Sequence, residues 1–308
     1  MNVTNSIPVT IISGYLGAGK TTLVNNALRK ANGLKLAILV NEFGNLAIDE
    51  DLIISQDENM ISLAGGCICC SYGNDMLLSL KELTSLESKP DHIILEASGV
   101  AIPSSIERSI SLIDDCYTES IVSIVDSEQI QDQLSDKYVS DTILAQIKSA
   151  DLIFANKTDL IMNEKSFLSW IKNHHFLKEA IMVSHSDVEL DILLGASRQI
   201  GVVREASHEI KVNHKNVFWS KVFLPNDFVD PIDFSRLLTK QDMHLVRVKG
   251  HLKGIDGKMY LLQTVGHRYY VEIADNEKKA GLVLIGIKDT KNLDALRVNL
   301  KKYGNFQC

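Results

Sequence analysis

Gly14-Tyr15-Leu16-Gly17-Ala18-Gly19-Lys20-Thr21 has the residue types and the spacing to hold a polyphosphate. It satisfies G-x-x-x-x-G-K-[ST] at every fixed position. Glycines let backbone N–H groups close around a phosphate, and a following helix adds partial positive charge from its N-terminus. Lys20 is expected on the β- and γ-phosphates, and the Thr21 hydroxyl on Mg²⁺. Gly14, Gly17, Ala18, Gly19 and Thr22 complete the expected contact set.

A second set is Asn156-Lys157-Thr158-Asp159, which fits N-K-x-D. Asn156, Lys157 and Asp159 are expected at the base. A carboxylate can accept both the ring N1–H and the exocyclic amine of guanine. Adenine offers an acceptor at N1 and would leave that carboxylate unmatched, so the motif points to GTP rather than ATP. A third set, Cys67-Ile68-Cys69-Cys70, places three thiols in four residues. Thiolates select Zn²⁺, Cu(I) and related ions. Three sulfurs are one short of a closed tetrahedral site, which suits an exchangeable ion better than a structural one. In an extended segment Cys67 and Cys69 share a face and Cys70 takes the other, so all three meet one ion only if the chain turns there. Glu42 is a candidate ligand from outside the cluster. Buried structural cysteines and a redox pair are the other readings of these thiols.

These residues need a scaffold, and the apolar pattern supplies one. Short buried strands are expected at 9–12, 36–40, 60–63, 92–95, 121–125, 152–155 and 180–183, with helical patterns after Thr21, over 74–86 and over 135–149. Strands of four to six apolar residues alternating with helices predict an α/β fold, a mostly parallel sheet covered on both faces. The chemistry-bearing residues follow strands, where such sheets bind ligands. From 216 onward the pattern becomes strand-rich, with a helix near 231–238 and a closing helix through Leu293, Leu296 and Leu300. That predicts a small α+β domain, with the division at 1–205 and 206–308. The 308 residues are enough for two cores.

Composition narrows the class further. A formal net charge of −7 argues against nonspecific nucleic-acid binding. No apolar run approaches the roughly 18 residues of a membrane span. The N-terminus lacks a basic-then-apolar leader, so a cytoplasmic location is expected. Clustered cysteines in a reducing compartment favour metal or redox chemistry over disulfides.

Taken together, the sequence resembles the CobW family of P-loop GTPases, relatives of the GTPases that insert nickel into hydrogenase and urease. The residues that carry the resemblance are 14–21, Asn41-Glu42-Phe43-Gly44, Gly66-Cys67-Ile68-Cys69-Cys70, Glu96-Ala97-Ser98-Gly99 and Asn156-Lys157-Thr158-Asp159, in that order. Val246-Arg247-Val248-Lys249-Gly250 and Leu284-Ile285-Gly286 resemble blocks of the family's C-terminal domain. The resemblance implies a transition metal, Zn²⁺ or Co²⁺, at Cys67, Cys69 and Cys70, with binding or release coupled to GTP hydrolysis. It implies that Glu42 lies in a first switch beside the γ-phosphate, that Glu96 is the acid holding Mg²⁺ with Thr21, and that Gly99 lets a second switch move and offers its N–H to the γ-phosphate. It also implies a metalloprotein client, docked through the C-terminal domain, and leaves a homodimer across the nucleotide face open.

The sequence departs from the family pattern in three respects. It has no histidine-rich store: His174, His175, His185, His208, His214, His244, His251 and His267 are scattered and expected on the surface. Asn45 stands where an acidic residue is common, and no arginine finger is evident, so unassisted hydrolysis is expected to be slow. Two other functions fit part of the pattern. A regulatory GTPase with structural or redox thiols would show no metal-dependent change in nucleotide binding, and a nucleotide-dependent enzyme of cobalamin metabolism would need a small acceptor.

Overall fold

The computed structural model describes residues 6–31, 33–41, 60–62, 74–174, 180–194, 218–226, 229–276, 278–287 and 290–306. Glu42, Asn45, Cys67, Cys69, Cys70, His175, His208 and His214 lie outside the described residues. The chain divides into two compact units, residues 1–194 and 195–308.

In the first unit, seven strands form one sheet. They are β1 (Ile7–Ser13), β2 (Leu36–Asn41), β3 (Met60–Ser62), β4 (His92–Ala97), β5 (Cys116–Asp126), β6 (Leu152–Asn156) and β7 (Ile181–Met182). Their order is β3-β2-β4-β1-β5-β6-β7, and every pairing is parallel. Every residue of β4 is buried. A strand with both its alternating sets buried must be covered on both faces, as the uninterrupted apolar runs predict.

The helices supply that cover. On one face Ile7, Val9 and Ile11 of β1 pack with Met76, Leu80 and Leu83 of α2 (Asn74–Ser85) and with Ile106 and Ile110 of α3 (Pro103–Ile110). Val125 and Ala155 pack with Ile130 of α4 (Ile130–Ser135), with Ile143 and Ile147 of α5 (Ser140–Ser149), and with Phe167 and Ile171 of α6 (Glu164–Asn173). The first helix, α1 (Lys20–Arg29), buries Leu23, Val24 and Ala27. A four-residue helix, α7 (Leu190–Leu193), ends the described part of this unit.

The expected helix at 135–149 begins only at Ser140, as α5, and a separate short helix, α4, ends at Ser135 before it. Asp136 lies between them: its Oδ1 accepts from the Tyr138 N–H at 2.8 Å while its carbonyl accepts from the Ser140 N–H. An aspartate bonding its own downstream backbone competes with helix continuation. Two helices outside the expected set have local signals. α3 begins with Pro103 in its first turn, and Asn163 caps α6 by accepting from the Ser166 N–H at 3.0 Å.

The second unit is an antiparallel sheet of six strands, β8 (Phe218–Pro225), β9 (Leu245–Lys253), β10 (Met259–Val265), β11 (Arg268–Ile273), β12 (Gly281–Ile287) and β13 (Gly304–Phe306). Their order is β11-β10-β9-β12-β8-β13. Phe223, Val248, Leu252, Leu262, Leu282 and Leu284 form its core with Phe234 and Leu238 of α8 (Pro231–Leu238) and Leu296 and Leu300 of α9 (Thr290–Leu300).

His251 corrects one expectation. It lies in β9 with 7% of its surface exposed, on the sheet face opposite Val248 and Leu252, flanked by Leu261 and Gly281 of the two neighbouring strands. Burial, then Lys278 and Lys249, push its pKa below the ordinary 6.5. Among the described residues no helix is long and apolar enough to cross a membrane.

Candidate nucleotide site

The site lies where five parallel strands end. Behind β1 the chain turns through residues 14–19, and the glycines there are required by geometry. Gly14 has φ 146°, and a Cβ on it would lie 2.2 Å from the Ile124 carbonyl oxygen. Gly19 has φ 109°, and its Cβ would lie 2.5 Å from both Asn156 Nδ2 and Ser186 Oγ. Gly17, at φ 76°, faces open space. A loop of this shape leaves a cradle that side chains would fill. No side chain caps the start of α1, so its first-turn N–H groups face the loop. Lys20 is buried and reaches back across the loop, donating from Nζ to the Gly14 carbonyl at 3.0 Å.

The residue after Lys20 meets the end of β4. Thr21 Oγ1 donates to Glu96 Oε1 at 2.8 Å, and Glu96 is 1% exposed. Two hard oxygen donors at one point match the ligand preference of Mg²⁺. Gly99, three residues beyond Glu96, lies against the phosphate loop: a Cβ there would come within 2.6 Å of Leu16 Cδ2 and 3.0 Å of the Leu16 nitrogen.

The third group comes from β6 and the turn after β7. Asn156 is buried and donates from Nδ2 to the Ala18 carbonyl and to Ser186 Oγ, both at 2.9 Å. Its Oδ1 accepts from the Ser186 N–H at 2.8 Å, and Ser186 Oγ donates onward to the Gly19 carbonyl at 3.0 Å. The amide of Asn156 therefore joins the N-K-x-D loop, the turn after β7 and the phosphate loop. Lys157 takes a left-handed φ of 62°, and its Nζ pairs with Asp126 Oδ2 at 2.6 Å. That aspartate is 2% exposed and also accepts from the Glu128 N–H at 3.0 Å. Thr158 Oγ1 donates to the Val183 carbonyl at 3.0 Å. Asp159 stays partly open, with His185 Nε2 3.8 Å away.

The fold thus brings the expected residues 14–22, 96, 99, 156, 157 and 159 to one edge of one sheet. The expected metal residues Glu42, Cys67, Cys69 and Cys70 lie outside the described residues; among those described, no group of three or more His, Cys, Asp or Glu could hold a metal ion. Three participants were not singled out from sequence: Asp126, Ser186 and Asn26, whose Nδ2 donates to the carbonyls of His185 and Ser186. Asp126 is the last residue of the buried strand β5 and Ser186 follows β7, the one signal that could have flagged them.

Residues 8–182 match the family described as CobW/HypB/UreG, nucleotide-binding domain, and residues 218–302 match the cobalamin synthesis protein cobW C-terminal domain. The chain is similar to the zinc chaperone CobW of Sinorhizobium sp, at 31% identity over 92% of this chain and 93% of that one. It is also similar to the zinc chaperone YjiA of Escherichia coli, at 27% identity over 92% and 95% of the two chains. A crystal structure of the Zn(II)-bound YjiA GTPase from E. coli is 28% identical, covers 97% of this chain and 99% of that chain, and has a TM-score of 0.44. The first family match spans more than half of the chain, and the two matches fall in order within the two compact units. The chain belongs to the CobW/HypB/UreG family of P-loop GTPases.

Proposed function

We propose that this chain is a zinc chaperone that hydrolyses GTP and couples the reaction to delivery of the ion to a client protein. The observation that carries the nucleotide half is the bridge from Asn156 through Ser186 to Ala18 and Gly19. It ties the loop suited to guanine to the loop suited to phosphate, so one ligand must satisfy both. The relatives' names, zinc chaperone in both cases, support the metal half.

Each residue then has a role. Gly14, Gly17, Ala18, Gly19, Thr22 and the start of α1 bind the phosphates through the backbone. Lys20 neutralises charge that develops on the β–γ bridging and γ oxygens. Asp159 reads the guanine edge, and Lys157, held by Asp126, lies along the base. Thr21 and Glu96 are the residues that would hold Mg²⁺, which supplies charge neutralisation when bound. Glu42 or a backbone group of a switch orients the attacking water, and Gly99 meets the γ-phosphate. Cys67, Cys69 and Cys70, with Glu42, take the zinc as cargo, and Co²⁺ is the competing ion. Cys67–Cys70 lies between the two switch segments in sequence, so ordering those segments changes the thiol geometry. The client docks on the C-terminal unit, and the protein works in the cytoplasm.

The test is the affinity for Zn²⁺ and Co²⁺ in three states: nucleotide-free, Mg²⁺·GDP, and Mg²⁺ with a non-hydrolysable GTP analogue, in the wild type and in Cys69→Ala. Coupling of the usual size predicts an affinity ratio of about 5–150 between the GTP and GDP forms. It also predicts loss of tight binding in the variant. Equal affinities in the two nucleotide states would remove the coupling, and no metal binding would leave a GTPase with structural thiols.

A further inference from the structure

Helix α5 carries a polar residue in its apolar stripe. Ile143, Gln146 and Ile147 are its buried positions, and Gln146 is 1% exposed. Burying an amide is unfavourable unless it is hydrogen-bonded, and a leucine or methionine would fill the same space without that requirement. What the amide does is specific: Nε2 donates to the Gly99 carbonyl and to the Ala101 carbonyl, each at 3.0 Å.

Those carbonyls belong to the short link between β4 and α3. The link starts just after Glu96, which is bonded to Thr21, and a turn closes it, with the Ala101 N–H donating to the Ser98 carbonyl at 3.0 Å. On its other side Gly99 lies against Leu16 of the phosphate loop, whose side chain and nitrogen a methyl group would crowd. The link is therefore held between the α5 amide and the phosphate loop. The chain has no cis peptide among the described residues, and across a trans peptide the carbonyl and the next N–H point in opposite directions. Fixing the carbonyls of Gly99 and Ala101 from the α5 side thus also fixes the directions of the Val100 and Ile102 N–H groups, away from Gln146.

We infer that Gln146 is a positioning residue for nucleotide hydrolysis: it presets the Gly99 link beside the phosphate loop, so that a γ-phosphate meets an ordered backbone. The inference rests on the GTPase reading above. It separates the two nucleotides, because only GTP carries the group that the link would meet. Without the amide, the γ-phosphate has to order the link itself, and both GTP-state affinity and turnover fall.

The experiment compares full-length wild type, Gln146→Met and Gln146→Glu. Methionine keeps the length and the packing but has no donor. Glutamate replaces the donor with an acceptor facing two carbonyls. Two ordinary buried hydrogen bonds correspond to about a tenfold effect or more. Gln146→Met should lower kcat and weaken binding of a non-hydrolysable GTP analogue by about that factor, with GDP affinity within about twofold of wild type. Gln146→Glu should be worse near pH 8, and should recover relative to wild type as pH falls, because a protonated carboxyl regains one donor.

A merely structural glutamine would give a different result: a lower Tm with kcat and the GTP-to-GDP affinity ratio unchanged, or equal weakening of both nucleotides. Either outcome overturns the inference, as does tighter analogue binding by the methionine variant. If Gln146→Met does not fold, the pH profile of Gln146→Glu decides alone, and a flat ratio to wild type counts against the positioning role. Absence of GTP hydrolysis by the wild-type chain would overturn the GTPase reading itself, and the positioning role with it; failure of the inference alone leaves wild-type hydrolysis intact.

Discussion

Asn156→Ala tests the bridge between the base and phosphate loops. The substitution removes three hydrogen bonds, to the Ala18 carbonyl, to Ser186 Oγ and from the Ser186 N–H. At about 0.5–1.5 kcal/mol net for each buried bond, the loss is about 3 kcal/mol in the nucleotide-free protein. A nucleotide that binds both loops must then restore their arrangement. If all of the loss appears in binding, affinity falls about 100-fold, at about 1.4 kcal/mol per decade. The loss should be equal for GDP and for a GTP analogue, since Asn156 lies between base and phosphate loop and not at the γ-phosphate. Fluorescent-nucleotide titration gives both affinities, and urea unfolding without nucleotide gives the stability. Ser186→Ala removes only the hydroxyl's two bonds and should weaken binding about 30-fold. Because the two side chains share the Nδ2···Oγ bond, the double variant should be less than additive by about 1 kcal/mol. GDP affinity within about twofold of wild type in Asn156→Ala, or strict additivity in the cycle, would refute the bridge.

Three further outcomes are expected. Asp159→Asn replaces an acceptor that matches two guanine donors with an amide; guanine-nucleotide affinity should drop on the order of 10³-fold while xanthine nucleotides, which carry a carbonyl at that edge, gain. Unchanged guanine preference in the titration would move base reading elsewhere. Cys116 is buried, and burial with Asp115 pushes its pKa to about 11, so about a thousandth is thiolate at pH 8. Thiol counting in native and denatured protein should show Cys116 reacting only after unfolding; rapid native labelling at Cys116 would contradict its burial. His251 titrates below 6.5 when folded, so the unfolded chain takes up that proton first as pH falls. Its contribution to stability is complete above the unfolded value and is lost progressively below it. Urea midpoints compared between about pH 7.5 and about pH 5.5 should fall less in His251→Gln than in wild type, and equal falls would assign the pH dependence to other groups.

Much of the molecule was legible from short-range pattern. The phosphate loop, the N-K-x-D run and the strands around them are defined by residues within a few positions of one another. Backbone sterics at glycine and uninterrupted apolar runs act over the same range, so residues 14–21 and the strand ends at Glu96 and Asn156 could be located from sequence. Local competition was harder to read. Asp136 lies between α4 and α5 with its side chain accepting from the Tyr138 N–H, and the apolar pattern that put the helix start at 135 gives no sign of it.

What only the tertiary structure decided is which of those edges touch. Asn156 meets Ala18 across 138 positions, Thr21 meets Glu96 across 75, and Gln146 meets Gly99 across 47. His251 was expected with the surface histidines, and its place in an interior strand between two neighbours leaves it 7% exposed. Each of these contacts depends on strand order and register, which are set by the packing of the whole sheet. A motif states which atoms a site requires; the sheet determines which distant residues hold those atoms in place, because that choice has no local signature in the chain.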